Sequence, residues 1–150
     1  MEVFKICSEK YSHSLNASGA SNRWNKKDEF VIYTGSSRSL STLETVVHRS
    51  AINISSSYKL VIIAIDDKTF IKEISITDLP KNWKSIEAYI ELQEIGSNWY
   101  HSLESLILKV PSAIISQEYN YIINTKHPLF TTNVRLQSVE NFDWDKRLLL

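Results

Sequence analysis

The sequence contains few of the residues that most often dictate a fold or an activity. Cys7 is the only cysteine among 150 residues, so no internal disulfide can form and a reducing compartment is favoured. The three glycines are Gly19, Gly35 and Gly96. They form neither a Gly-x-Gly-x-x-Gly pattern nor a Gly/Lys phosphate loop. A Rossmann dehydrogenase and a P-loop enzyme are therefore both poor interpretations.

Net charge and long apolar runs are also lacking. Seventeen Lys and Arg balance seventeen Asp and Glu, which argues against broad, direct nucleic-acid binding. The longest apolar run, residues 60–65, is far too short to span a membrane. Glu2 and Lys5 interrupt the start, where a signal peptide would need an apolar stretch. We expect a cytoplasmic protein without membrane association. No metal is expected, because the four histidines have no ligand spacing.

The length of the chain predicts one domain over residues 1–150. Helices are predicted from about Ser39 or Ser41 onward and over 94–102. Strands outnumber helices and do not alternate with them, which indicates an α+β fold with a mixed or antiparallel sheet and few helices. The predicted strands cover residues 2–7, 30–33, 58–65, 71–76 as a hairpin partner of the preceding strand, 106–110 with a possible extension over 113–115, and 132–139.

Glu44 occupies an ambiguous place on the first helix. Ser41 and Glu44 have the spacing of a capping box, in which Glu44 would bond back to the helix start. Glu44 also lies at the edge of the apolar stripe, with His48 one turn later on the same side. A Glu–His pair at this spacing is either a structural hydrogen bond or part of a site.

Arg23 and Tyr33 are candidates for contacts with a ligand. A guanidinium presents a fixed fork of donors suited to phosphate oxygens, although Arg23 could equally stack on Trp24 or pair with Asp28. Tyr33 ends an apolar strand just before Gly35, and its ring could stack on a flat heterocycle. The competing interpretation of Tyr33 is a half-buried core residue whose hydroxyl is satisfied.

Ser112 follows Pro111 at the end of a predicted strand. No Gly-x-Ser-x-Gly elbow surrounds it, so a positioning hydrogen bond is favoured over a hydrolase nucleophile.

An ordered set of segments runs through most of the chain and carries a resemblance. The segments are Arg23-Trp24-Asn25, Val31-Ile32-Tyr33-Thr34, Leu43-Glu44, Val47-His48, residues 95–99, 108–113 and 118–124, His127-Pro128 and residues 144–148. In this order and spacing the sequence resembles the RES-domain toxins, a family named for its Arg, Glu and Ser.

The resemblance implies the toxin of a type II toxin–antitoxin pair, with a fold similar to ADP-ribosyltransferases and with NAD as substrate. The ADP-ribose would pass to water, phosphate or a protein. The implied partner is an Xre-type helix-turn-helix antitoxin, and a homodimer is plausible. The implied catalytic residues are Glu44, Arg23, Tyr33 and Ser112, of which Arg23 and Tyr33 would also bind NAD.

Further residues implied in NAD binding are His48, Asn120 and Lys5, the last standing where the family commonly has Arg. A lysine ammonium cannot form the bidentate pair of hydrogen bonds that a guanidinium makes to phosphate oxygens. Ser21-Asn22 also replaces a common Gly-Gly. Two alternatives therefore stay open: a protein ADP-ribosyltransferase toxin, and a catalytically degenerate module kept for partner binding. A ribonuclease toxin is disfavoured by the neutral charge.

Overall fold

One seven-stranded mixed sheet organises the computed structural model, which describes residues 1–150 except for the side chain of residue 49. The strand order is β4-β5-β6-β2-β1-β3-β7, and only β4 and β5 pair in parallel. The strands are β1 Glu2–Ser8, β2 Val31–Gly35, β3 Tyr58–Ile65, β4 Ile71–Glu73, β5 Ile107–Pro111, β6 Tyr119–Asn124 and β7 Val134–Phe142. The predicted α+β class with a mixed sheet is confirmed.

Three α-helices accompany the sheet in the described chain: α1 Arg38–Val46, α2 Tyr89–Ser102 and α3 Phe130–Asn133. Helix α2 begins five residues before the predicted start and ends at the predicted Ser102, where Leu103 follows with a left-handed φ of 55°. None of the helices described is long and apolar enough to cross a membrane. The short 3-10 segments are Glu9–Tyr11, Arg49–Ala51, Ile76–Asp78, Ile86–Ala88 and Lys146–Leu149.

Strand β3 has the predicted bounds, because a continuous apolar run suits a strand covered on both faces. The predicted hairpin between β3 and residues 71–76 is wrong. Both edges of β3 are occupied, by β1 and β7, so β4 pairs instead with β5, placing Ile71 opposite Ile107. The extension over residues 113–115 is also wrong, since these residues form a bend after β5.

Helix α1 is capped by a residue other than the one predicted. The Ser37 side chain accepts a hydrogen bond from the Leu40 amide, whereas the Ser41 hydroxyl is buried and donates to the Phe4 carbonyl at 2.6 Å. The capping box is therefore wrong, and Glu44 lies in the last turn of the helix rather than in the first. Its carboxylate is free to serve another purpose.

Two apolar layers hold the sheet together. On one face, Leu92 and Trp99 of α2 pack with Leu108, Val110 and Ile122 of the sheet. On the other face, a second buried cluster is formed by Val3, Ile32, Val61, Ile63, Ile65, Leu106, Ile107, Ile123 and Val134.

The sheet opens between β1 and β2. These strands share a single register pair, Phe4 with Gly35, whereas β1 pairs with β3 along its whole length. The pairing does not continue to Lys5, Tyr33 or Thr34, and α1 follows β2 immediately. A cleft therefore forms where the two strands separate beneath the first helix.

Candidate functional site

The cleft contains a cavity with two lobes. The first lobe, about 260 Å³, lies against β1, β2 and α1, and the second, about 300 Å³, against the loops before β2 and α2. Each is close to the lower limit of ordinary ligand pockets. The residues that line both lobes are Asn22, Tyr33, Glu44, His48 and Asn120. The shared lining indicates one continuous site for a ligand with two parts.

Glu44 lies where the lobes meet, and both of its hydrogen bonds fall on one oxygen. Oε1 accepts from the Ser112 hydroxyl at 2.8 Å and from Asn120 Nδ2 at 2.6 Å. Because an ionised carboxylate is acceptor-only, the Asn120 amide must present its nitrogen to Glu44. Asn120 Oδ1 is then left buried without a hydrogen bond among the described residues. Two donors thus orient the carboxylate while its other oxygen remains available to a ligand.

Ser112 is fully buried behind Glu44. Its hydroxyl donates to Glu44 and accepts from the Ile114 and Ile115 amides, both at 3.1 Å. These amides fix the hydroxyl oxygen, so the proton points at the carboxylate. Ser112 therefore contacts Glu44 rather than the cavity. The family resemblance had implied that Ser112 acts on the substrate directly.

Tyr33 uses its hydroxyl to hold the loop before β2. The hydroxyl donates to Asn25 Oδ1 at 2.7 Å and accepts from the Trp24 amide at 3.0 Å. Burial raises the pKa of this phenol well above its usual value, and the Trp24 hydrogen bond opposes that shift only in part. The phenol is thus a fixed neutral group, and Tyr33 lines both lobes.

Arg23 lies in the second lobe with its guanidinium already oriented. Nη1 donates to the Trp83 carbonyl at 2.9 Å, and the group lies 4.7 Å from the ring centre of Tyr89. The stacking partner is therefore Tyr89, and neither Trp24 nor Asp28 takes the role predicted from sequence. One N–H bond leaves the remaining donors of the fork for an anion.

Lys5 supplies a second cation, in the first lobe. Burial lowers the pKa of this ammonium, and the nearby Cys7 thiol opposes the shift. An anionic ligand group in the first lobe would be attracted to this ammonium. His48 follows the end of α1 and lines both lobes together with Glu44.

Several lining residues were not predicted from the sequence, and three of them carry polar groups suited to a ligand. Asn22 lines both lobes, and Lys84 and Tyr89 line the second. No local motif marks them, because they come from separate segments that only the tertiary structure brings to the cavity. The described residues contain no group of three or more His, Cys, Asp or Glu side chains that could hold a metal ion.

The site combines an oriented carboxylate and an aromatic face with cationic side chains in both lobes, Lys5 in the first and Arg23 and Lys84 in the second. A carboxylate of this kind stabilises developing positive charge, and the cations favour a ligand with phosphate groups. The geometry suits an anionic ligand with a ring and with hydroxyls close to Glu44.

Known proteins resemble the chain in sequence. The profile of the RES domain family matches residues 3–145. A protein named Toxin Res from Yersinia enterocolitica is 34% identical over 152 residues, covering 99% of both chains. The Prs ADP-ribosylating toxin of a Sphingobium species is 32% identical over 129 residues, covering 85% of this chain and 80% of its own.

A solved structure resembles the fold. The crystal structure of the M. tuberculosis MbcT–MbcA toxin–antitoxin complex contains a chain that aligns with a TM-score of 0.78 at 13% identity. The alignment covers 95% of this chain and 84% of that chain. At this identity the similarity concerns the fold alone.

Proposed function

The chain belongs to the RES domain family, and on that basis we propose that it is a toxin that depletes cellular NAD by cleaving the bond between nicotinamide and ribose. Relatives with the names Toxin Res and Prs ADP-ribosylating toxin support a toxin that uses an ADP-ribosyl donor. The observation that carries the proposal is the Glu44 carboxylate, fixed on one oxygen by Ser112 and Asn120 where two cation-bearing lobes meet.

Glu44 is assigned the catalytic role. When the C–N bond breaks, its electron pair leaves with the nicotinamide nitrogen, which is cationic in NAD, so no general acid is needed. Positive charge develops on the ribose as in glycoside hydrolysis. A preorganised carboxylate close to that ribose stabilises the charge without reorganising during the reaction. The acceptor oxygen then bonds to the same carbon and loses its proton.

The remaining side chains bind and orient the substrate. The Arg23 guanidinium binds the pyrophosphate, and Lys5 offers a second cationic contact in the first lobe. The Tyr33 ring packs on the nicotinamide or its ribose. Asn120 lines both lobes and orients Glu44 through its Nδ2, and His48 lies beside Glu44 on the same two lobes.

A direct assay tests this function. We expect the purified chain to release nicotinamide from NAD, and induced expression to lower cellular NAD. The Arg23→Ala variant should do neither at the parental rate. Release of no nicotinamide by the folded parental chain would reject the enzymatic role and leave a partner-binding module. Mass spectrometry of the products separates hydrolysis from phosphorolysis.

Transfer of ADP-ribose to a protein is the second candidate, favoured by the Sphingobium relative's name. ADP-ribose adducts on cellular proteins, with little free ADP-ribose, would establish it. In either case we propose an Xre-type antitoxin as partner, a cytoplasmic location and a homodimer. The toxin–antitoxin complex among the similar structures supports the antitoxin part of this proposal.

Ser112→Ala is expected to lower kcat for NAD cleavage about tenfold or more with KM nearly unchanged. Ser112 touches Glu44 and not the cavity, and hydrogen bonds to charged groups contribute about 1.5–3 kcal/mol. Steady-state kinetics measure the split between kcat and KM. The matched control is Ser105→Ala, which removes a similarly buried hydroxyl that bonds Trp99 Nε1. Equal kcat losses in both variants would contradict the assignment.

Lys5 should make NAD binding sensitive to alkaline pH. Burial lowers the Lys5 pKa, so the free site loses its ammonium at a lower pH than an exposed lysine would. Affinity should therefore fall as pH rises through that lowered pKa, below the usual value of about 10.4. Calorimetric titration of NAD into the Glu44→Gln variant measures this without turnover. Adding Lys5→Arg should flatten the profile, and adding Lys5→Met should weaken binding at pH values below that pKa and remove the alkaline fall. A profile unchanged by Lys5→Met would exclude the contact.

A further inference from the structure

One face of α2 holds the loop that carries Arg23, residues 22–29, called here the arginine loop. Gln93 Nε2 donates to the Asn22 carbonyl at 2.8 Å. One turn later, Gly96 lies so close to the loop that a Cβ there would be 1.7 Å from the Trp24 carbonyl oxygen. Ser97 adds the next contact on the same face, through Glu29.

Glu29 is a buried carboxylate, 4% exposed, that joins the arginine loop to α2. Oε2 accepts from the Lys26 amide at 2.7 Å. Oε1 accepts from the Ser97 hydroxyl and lies 3.2 Å from His101 Nε2. A buried charge rarely adds net stability relative to apolar packing, but it places its partners in one arrangement. Glu29 therefore has the character of a group that sets geometry.

A chain of hydrogen bonds leads from Glu29 to Arg23. Asn25 Nδ2 donates to the Glu29 carbonyl at 3.3 Å, and Asn25 Oδ1 accepts from the Tyr33 hydroxyl. The same hydroxyl accepts from the Trp24 amide, whose residue follows Arg23 directly. Each side chain in this series of hydrogen bonds contacts both of its neighbours in the series. A shift of Glu29 is therefore transmitted to the backbone beside Arg23.

The partner of the Arg23 side chain also belongs to α2. The guanidinium lies over Tyr89, the first residue of that helix. Loop and stacking partner must therefore keep one relative position for the guanidinium to keep its place in the second lobe. The Glu29 contacts with Ser97 and His101 fix that relative position.

We infer that Glu29 is a positioning residue that sets the place of Arg23 through α2, and that its loss weakens substrate binding more than bond cleavage. The kinetic part of this inference rests on the proposed function, in which Arg23 holds the pyrophosphate in both ground and transition states. Loss of a contact that is equally strong in the ground state and the transition state raises KM and leaves kcat unchanged. Loss of Glu29 should therefore change mainly KM, whereas Ser112→Ala should change mainly kcat.

The test compares Glu29→Gln with Glu94→Gln. Glu94 also joins the arginine loop to α2, through Lys26 Nζ, but both side chains are exposed. Exposed pairs of this kind contribute little. We expect Glu29→Gln to raise KM for NAD on the order of tenfold with kcat within about twofold, as misplaced positioning groups do. Glu94→Gln should match the parental chain. Equal KM values for the two variants, or a fall in kcat alone, would overturn the inference.

Hydrogen–deuterium exchange gives a readout that does not depend on NAD chemistry. Peptides covering residues 22–29 should exchange faster in Glu29→Gln than in Glu94→Gln or the parental chain. A parental chain that releases no nicotinamide, combined with this exchange difference, would reject the proposed function and retain the anchor role. Unchanged exchange in Glu29→Gln would reject the anchor role whatever the activity. Ser97→Ala, which removes one donor and leaves the loop sequence intact, should show both effects more weakly, and parental values for both would count against the inference.

Discussion

Replacement of Glu44 by glutamine is expected to lower kcat for NAD cleavage by about a hundredfold or more, with the fold intact. Gln has nearly the same shape, and its carbonyl oxygen can still accept from Ser112 and Asn120, which bond only Oε1 in the parental chain. Only the charge that faces the developing oxocarbenium is lost. Loss of one preorganised transition-state contact typically costs about 3 kcal/mol.

The measurement is single-turnover nicotinamide release, with NAD affinity determined in parallel. The matched control is Glu91→Gln, which neutralises an exposed carboxylate on α2. We expect Glu44→Gln to bind NAD and melt like the parental chain. A variant that cleaves NAD at the parental rate would remove Glu44 from the mechanism. A variant that loses binding and folding together would show that Glu44 is structural.

Gly96→Ala is expected to destabilise the fold by about 3 kcal/mol or more. In an open helix position this substitution stabilises by about 1 kcal/mol, because Gly is a poor helix former. At Gly96 the added Cβ would lie 1.7 Å from the Trp24 carbonyl oxygen and 2.7 Å from its carbon, both rigid backbone atoms. Helix α2 or the arginine loop must then move, so the sign of the effect reverses.

Urea unfolding measures the change in the free energy of unfolding. Asn98→Ala, at an exposed position of the same helix, is the control and should be neutral or slightly stabilising. A stabilised Gly96→Ala variant would mean that α2 does not pack on Trp24 as described. We also expect residual folded Gly96→Ala protein to show a raised KM for NAD, since the displaced loop carries Arg23.

Two positioning networks thus serve the two kinds of charge in the site. Ser112 and Asn120 orient the carboxylate, and their loss should appear in kcat. Glu29 and the face of α2 orient the guanidinium, and their loss should appear in KM. The division follows from the proposed roles, because the carboxylate acts on charge that exists only in the transition state, whereas the pyrophosphate charge is present throughout.

Local sequence patterns predicted those elements whose stabilising contacts are periodic. Strand β3 was predicted to the residue because its apolar run is continuous. The pairing of β4 with β5 was not predicted, because the choice of a parallel partner depends on which strand edges remain free. The cap of α1 was assigned to Ser41 rather than Ser37, because several serines share the capping chemistry and only packing against Phe4 distinguishes them.

The sequence by itself determined the α+β class, the family and the set of polar residues from which a site could be built. Tertiary structure alone decided their arrangement: Ser112 and Glu44 are 68 residues apart in the chain, yet bonded. It also placed the Tyr89 ring beneath the Arg23 guanidinium and the Glu29 carboxylate in contact with Ser97 of α2. The physical reason is that composition and periodicity report on short-range preferences, whereas the direction of a hydrogen bond between distant segments is set by how the whole sheet and α2 pack together.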